Sequence, residues 1–190
     1  AIVLRQRWSR GQAEARFANM PPCLIGMEAC VGAHHLSRKL QGFGHDARLM
    51  RRAMEYARGL GVTLAQHCED DVLAGGGAMH EGAWSARLGI PGQPREAEEV
   101  MVMRDIALAR MTGATLHFQH LSTRRSVELV AAAKAEGLAV TCEATPHHLT
   151  LTDERCATYD PVFKVNPPLR TDDDVAAVRA GLASGTVDCI

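Results

Sequence analysis

The sequence is poor in the features that announce several large classes of protein. Its six cysteines, Cys23, Cys30, Cys68, Cys142, Cys156 and Cys189, are scattered and include no C-x-x-C pair, so neither a zinc knuckle nor a redox dithiol is written in them. Free thiols in a cytoplasmic protein are the expectation, rather than a disulfide framework. Aromatic residues make up only 4%, too few for a base-stacking surface. The formal net charge is −1, so no global field draws the chain to nucleic acid or an anionic membrane. No apolar run approaches the roughly 18 residues of a membrane span. No basic segment leads into an apolar run with a cleavage site, so nothing marks a signal peptide. A G-x-G-x-x-G turn is also missing, which removes the usual phosphate-binding signature of a dinucleotide fold.

What is present is a globular composition, 46% hydrophobic and 23% charged, and an alternation of helix and strand from about residue 50 onward. "RRAMEYARGLG" has helical spacing and closes on Gly61. "VTLAQ" (62–66) reads as a strand, and the Gly-rich stretch from Leu73 to Pro94 reads as an irregular loop. "REAEEVMVMRDIALARMTG" is a helix with acidic residues in its first turn. "ATLHFQ" is a strand, "STRRSVELVAAAKAEG" a helix capped by Ser122 or Thr123, and "LAVTCEAT" another strand. A helix capped by Thr171 follows, and "TVDCI" starts one more strand. Strands separated by single helices imply a parallel sheet with crossover helices. Polar residues cluster just after the strands, where a (β/α)₈ barrel keeps its active site. At 190 residues the chain is shorter than the roughly 250 of a whole barrel. The fold expected is α/β, a partial (β/α)₈ barrel of the TIM type, truncated at both ends.

Three residues stand out as site candidates. His67 and His120 each follow a strand immediately. Either one alone reads equally well as a core-edge or surface histidine. Two of them after consecutive parallel strands about 4.8 Å apart bring two imidazoles within reach of one ion. His117, three residues before His120, lies on an alternating element and should face away from that ion as a packed residue. Asn166, followed by Pro167 and Pro168, reads either as a turn residue or as a hydrogen-bonding side chain held at the mouth. His80 is expected to be a solvated loop histidine and Arg170 a charge at a helix start. His147 and His148 are adjacent and cannot easily share an ion, so an outer or structural role is expected. Cys68 and Cys142 should pack as small apolar groups.

"AQHCED", "MHEG.WSARLGIPG", "HFQHLST", "TCEATPHHLTLTDE", "DPVFKVNPPLRT" and "GL.SGTVD" follow one another in an order and spacing that resemble the class I dihydroorotases, over about residues 46–190. The resemblance implies a metal-dependent cyclic amidohydrolase of pyrimidine biosynthesis that interconverts N-carbamoyl-L-aspartate and (S)-dihydroorotate, with two zinc ions per site. It also implies a homo-oligomer or a carbamoyltransferase partner. On the family pattern His67 and His120 match the histidines of the more buried metal, and Asn166 matches a substrate-contacting asparagine. The departures are specific. No H-x-H occurs in the sequence, Leu40 stands near the position of the metal-bridging carboxylate, and the catalytic aspartate would follow the last residues. The expectation is a chain with no catalytic residue of its own and at most weak zinc binding.

Residues 1–45 differ in character. "CLIGMEA" reads as a strand, "GAHHLSRKLQGFG" as a helix with His34 and His35 on it, and "DARLM" as the start of a second strand. The stretch resembles an RNase H-like domain of insertion-sequence transposases, with Glu28 of "GMEA" at a metal-binding position. The domains expected are therefore 1–45, of transposase-like origin, and 46–190, with a seam between Gly44 and Arg51. The alternatives carried with the amidohydrolase are a DNA-acting transposase remnant and a non-catalytic assembly partner.

Overall fold

The computed structural model describes residues 46–190. The strand and helix expected within 1–45, with Glu28, His34 and His35, lie outside the described residues.

Helix α1 (Ala47–Leu60) opens the described part. Asp46 caps it, its carboxylate accepting from the N–H groups of Arg48 and Leu49, and Gly61 ends it in the left-handed conformation. This corrects the reading of "DARLM" as a strand: Asp46 is an N-cap, and the helix runs unbroken through Arg51. Strand β1 (Leu64–Gln66) follows, then a single turn, α2 (Asp71–Ala74).

The stretch expected to be an irregular loop is ordered. It forms β2 (Met79–His80), helix α3 (Ala83–Leu88) and β3 (Gly92–Gln93), and the two strands pair in parallel as a small sheet of their own. Gly92 makes this close approach possible. A Cβ built there would lie 2.4 Å from Glu81 Cα, so no other residue fits without moving the backbone.

From residue 96 onward the alternation takes its expected form. Helix α4 (Glu96–Thr112) leads to β4 (Leu116–Phe118), α5 (Arg124–Ala135) to β5 (Val140–Cys142), and α6 (Asp172–Ser184) to the segment at Cys189. Two 3-10 turns, Asp153–Thr158 and Pro161–Phe163, lie in the long connection before α6. The main sheet is parallel with order β1-β4-β5, in the register Leu64↔Leu116↔Val140. A parallel bridge from Glu143 to Cys189 continues it by one more strand position. Helices α1, α4, α5 and α6 pack one upon the next in the same sequence. The described residues are thus α/β with successive parallel strands and the helices packed beside them, an arrangement consistent with part of a (β/α) barrel.

Alternation along the strands sets the two faces. Leu116, Phe118, Val140 and Cys142 are buried and join Met101, Val102, Val127, Val130 and Val178 from the helices in one core. His117 and Thr141, one residue out of phase, occupy the opposite face and are only half-buried. The core therefore lies between sheet and helices and leaves the strand ends free to carry polar groups.

Candidate metal centre

Strand β1 ends at Gln66 and strand β4 at Phe118, and a backbone hydrogen bond from Gln119 N to Gln66 O (3.0 Å) carries the pairing one step further. The chain then turns sharply. His120 has φ +34°, a left-handed conformation uncommon for a residue with a side chain. It is held there by Glu143 Oε1, which accepts from His120 N at 3.3 Å, and by Leu121 N donating to Glu143 O. Such backbone persists only where its surroundings over-determine it, and it occurs preferentially at functional sites.

The turn aims the imidazole at its neighbour. His120 Nε2 stands 3.0 Å from His67 Nδ1, with the rings edge to face at a centroid distance of 4.7 Å. Two nitrogens bound to one zinc at 2.0–2.1 Å in tetrahedral geometry are about 3.3 Å apart, so the pair is set nearly at ligand spacing. The other His67 nitrogen, Nε2, lies 2.7 Å from Glu69 Oε2. The carboxylate accepts from Nε2–H and leaves the Nδ1 lone pair facing His120, which is how an outer carboxylate orients a metal-bound histidine. Burial pushes the His120 imidazole down to about 4, reinforced by His67 beside it, so it is neutral and ligand-competent at pH 7. Its Nδ1 is buried without a hydrogen-bond partner. The donors, the spacing and the orienting carboxylate fit a divalent ion of zinc's softness held between His67 and His120.

Asn166 joins the same cluster. Its Nδ2 donates to Glu69 Oε2 at 2.8 Å, so one carboxylate oxygen ties the asparagine to the histidine pair. Beside them lies a cavity of about 260 Å³ lined by Glu69, Gly77, Ala78, Gln93, Lys164 and Asn166. The structure therefore brings all three site candidates together, and adds Glu69, whose only signal was its place two residues after His67 in "HCED". His117 does not belong to this group: its ring reaches Thr141 and Glu143 on the other face of the sheet.

A buried polar network supports the loop carrying His120. Glu98, in the first turn of α4, accepts from Ser122 N at 3.1 Å, from Thr123 N at 3.2 Å and from the Ser122 hydroxyl. Arg170 is 1% exposed, its Nε donating to Ser122 Oγ at 3.1 Å and its Nη1 to Gln93 O at 2.9 Å. Arg170 is thus no simple helix-start charge. It is the centre of this network, where its guanidinium offsets the Glu98 carboxylate. His80, expected in solvent, is 4% exposed and meets Arg170 Nη1 at 3.1 Å through Nδ1. Burial and the adjacent guanidinium lower its pKa to about 4. His148 has the structural role expected, with Nε2 donating to Pro167 O at 2.9 Å and Nδ1 against the Thr145 hydroxyl. That contact fixes the segment next to Asn166. Cys68 and Cys142 are buried, as their packing role requires.

The sequence model of the dihydro-orotase-like family matches residues 31–126. Among curated relatives, the dihydroorotase of Pelotomaculum thermopropionicum is 57% identical over 145 residues, covering 76% of this chain and 34% of that protein. The dihydroorotase of Streptomyces coelicolor is 44% identical over an alignment of 204 residues that takes in 100% of this chain and 47% of that protein. The chain thus spans about a third to a half of the length of these relatives. Among solved structures, the D-hydantoinase (dihydropyrimidinase) of Thermus sp. superposes with a TM-score of 0.64 at 26% identity, over 75% of this chain and 32% of that one. The dihydroorotase of Campylobacter jejuni shares the fold, with a TM-score of 0.56 at 17% identity over 76% of this chain and 37% of that one. The family match begins at residue 31, inside residues 1–45, the stretch expected to be of transposase-like origin.

Proposed function

From the premise that this chain belongs to the dihydroorotase-like family, we propose that it carries the metal- and substrate-holding part of a dihydroorotase-type site, for a cyclic amide of the dihydroorotate/N-carbamoyl-L-aspartate class. The observation that carries the reading is the His67–His120 pair at 3.0 Å with Glu69 and Asn166 attached to it. His67 Nδ1 and His120 Nε2 would hold the ion. A divalent metal bound there supplies Lewis acidity toward a carbonyl and lowers the pKa of bound water.

The chain's own residues have distinct tasks. Glu69 keeps His67 in the tautomer with a free Nδ1, and it fixes the Asn166 amide at the rim of the cavity. Asn166 offers an amide to a polar edge of the substrate, which a small cyclic ureide presents in abundance. Burial of His120 keeps its imidazole neutral, so no proton competes for the ligand lone pair near pH 7. Lys164, lining the same cavity, supplies a cation toward a carboxylate-bearing ligand.

The described residues bring two imidazoles to this ion, whereas stable zinc sites have three or four protein ligands. The sequence also holds no H-x-H and no carboxylate near Leu40. Weak zinc binding without turnover is therefore the activity proposed for the 190-residue chain by itself. Calorimetric titration of zinc-saturated protein with dihydroorotate tests the reading. Saturable binding that weakens about tenfold or more in Asn166→Ala supports it. Binding indifferent to both Asn166→Ala and His120→Ala overturns it.

A further inference from the structure

We propose that His117, Glu143 and Cys189 form a second zinc site, on the opposite face of the sheet from the core and separate in its ligands from the His67–His120 pair. Strand register brings the three together. His117 on β4 is paired with Thr141 on β5. Glu143 is two residues further along the same face, and Cys189 bridges to Glu143 from the adjoining segment. One donor atom of each residue lies within 4.8 Å of the others. In a tetrahedral zinc site an imidazole nitrogen and a thiolate sulfur are about 3.6 Å apart, so side-chain rotation of about 1 Å closes the set.

The chemistry of the donors points the same way. His117 Nδ1 lies 2.8 Å from Thr141 Oγ1, and its Nε2 lies 3.3 Å from Glu143 Oε2. When Nδ1–H donates to the threonine hydroxyl, the Nε2 lone pair faces a carboxylate oxygen, and a cation between them relieves the opposition. The Thr141 hydroxyl then serves as the outer partner that metal-bound histidines regularly have. The remaining Glu143 oxygen accepts from His120 N, which fixes the carboxylate's direction. His117 and Glu143 are half-buried and Cys189 is exposed, so an ion reaches the site without any opening of the fold. Thiolate, imidazole and carboxylate together select a borderline-soft ion, zinc rather than magnesium or calcium. Binding replaces the thiol proton of Cys189 with the metal, and that proton leaves to solvent.

Cobalt(II) is the probe, because thiolate ligation gives a charge-transfer absorption that imidazole and carboxylate ligands alone do not. Titrating the 190-residue chain with Co²⁺ is expected to raise such a band, displaced by zinc. Cys189→Ser, at an exposed position, should remove the band and weaken binding at this site by at least the roughly 10- to 100-fold that loss of an outer-shell partner costs. His67→Ala should leave the band unchanged, which separates this site from the other. A chain that shows no thiolate band, or a band that persists in Cys189→Ser, overturns the proposal.

Discussion

The Glu98 carboxylate is joined to Ser122 twice, by the serine N–H at 3.1 Å and by its hydroxyl, two residues beyond His120. A residue on one helix thus sets the exit of the loop that presents a candidate metal ligand. Arg170 shares the same hydroxyl from the other side, so the charge of Glu98 is met inside the protein and not by water.

Glu98→Gln keeps the shape and removes the charge, which places an amide NH₂ against backbone donors and takes away the strongest of the carboxylates, Glu98, Asp174 and Glu99, that face Arg170. The expected cost is about 2 kcal/mol, as for leaving buried hydrogen-bond donors without a charged acceptor. Arg170→Met should cost a similar amount. Because both variants disrupt one network, the double variant should fall short of the sum by about 1 kcal/mol or more. Urea midpoints of the four proteins measure this, and simple additivity would mean that the two residues act independently.

The pH dependence of stability draws on His80, His120 and His148, whose pKa values fall from 6.5 to about 4 on folding, chiefly through burial. Each is neutral in the folded state and protonates first in the unfolded chain. Their contribution is therefore complete above pH 6.5 and lost as the pH falls from 6.5 toward 4. The loss per histidine is on the order of 3 kcal/mol. In His80→Gln the fall in urea midpoint across this window should be shallower than in the parent. An equally steep fall would assign the acid sensitivity to other groups.

The sequence made the long elements legible and the short ones not. α4 and α6 span three to five turns, have acidic first turns and end on Gly113 and Gly185, so period and punctuation agree. β2, α3 and β3 are two to six residues long, too short for either period to register, and their glycines read as loop signals although Gly92 serves a close backbone approach. "DARLM" misled for a related reason: a charged cap followed by a brief apolar run fits a strand start as well as a helix start. At the site, His67 and His120 were legible from their places after consecutive strands. The roles of His80 and Arg170 were not, because their burial depends on each other across 90 residues of chain. Glu98 was likewise hidden among the acidic residues that any helix start attracts.

Carbamoyl-aspartate cyclisation by the purified 190-residue chain, with zinc added, should give no measurable turnover. Two imidazoles hold an ion weakly, and no H-x-H pair or bridging carboxylate near Leu40 supplements them. Rates within tenfold of a full-length family enzyme would show that the ligand set assigned to this chain is incomplete.

His117 and His120 should separate in their effects. His120→Ala removes one of two ligands of the ion shared with His67 and should abolish its binding. His117→Ala leaves that ion in place, costs packing and hydrogen bonding of about 1 kcal/mol, and abolishes the cobalt–thiolate band. Zinc binding at the first site that responds to His117→Ala as strongly as to His120→Ala would mean that the two faces of the sheet are not independent.

The most direct measurement is anomalous diffraction at the zinc absorption edge from crystals of the chain grown with saturating zinc. A peak within about 2.1 Å of both His67 Nδ1 and His120 Nε2 is predicted, with Glu69 still on His67 Nε2. No zinc between these two nitrogens, with the pair hydrogen-bonded to each other instead, would contradict the assignment of His67 and His120 as ligands of a common metal.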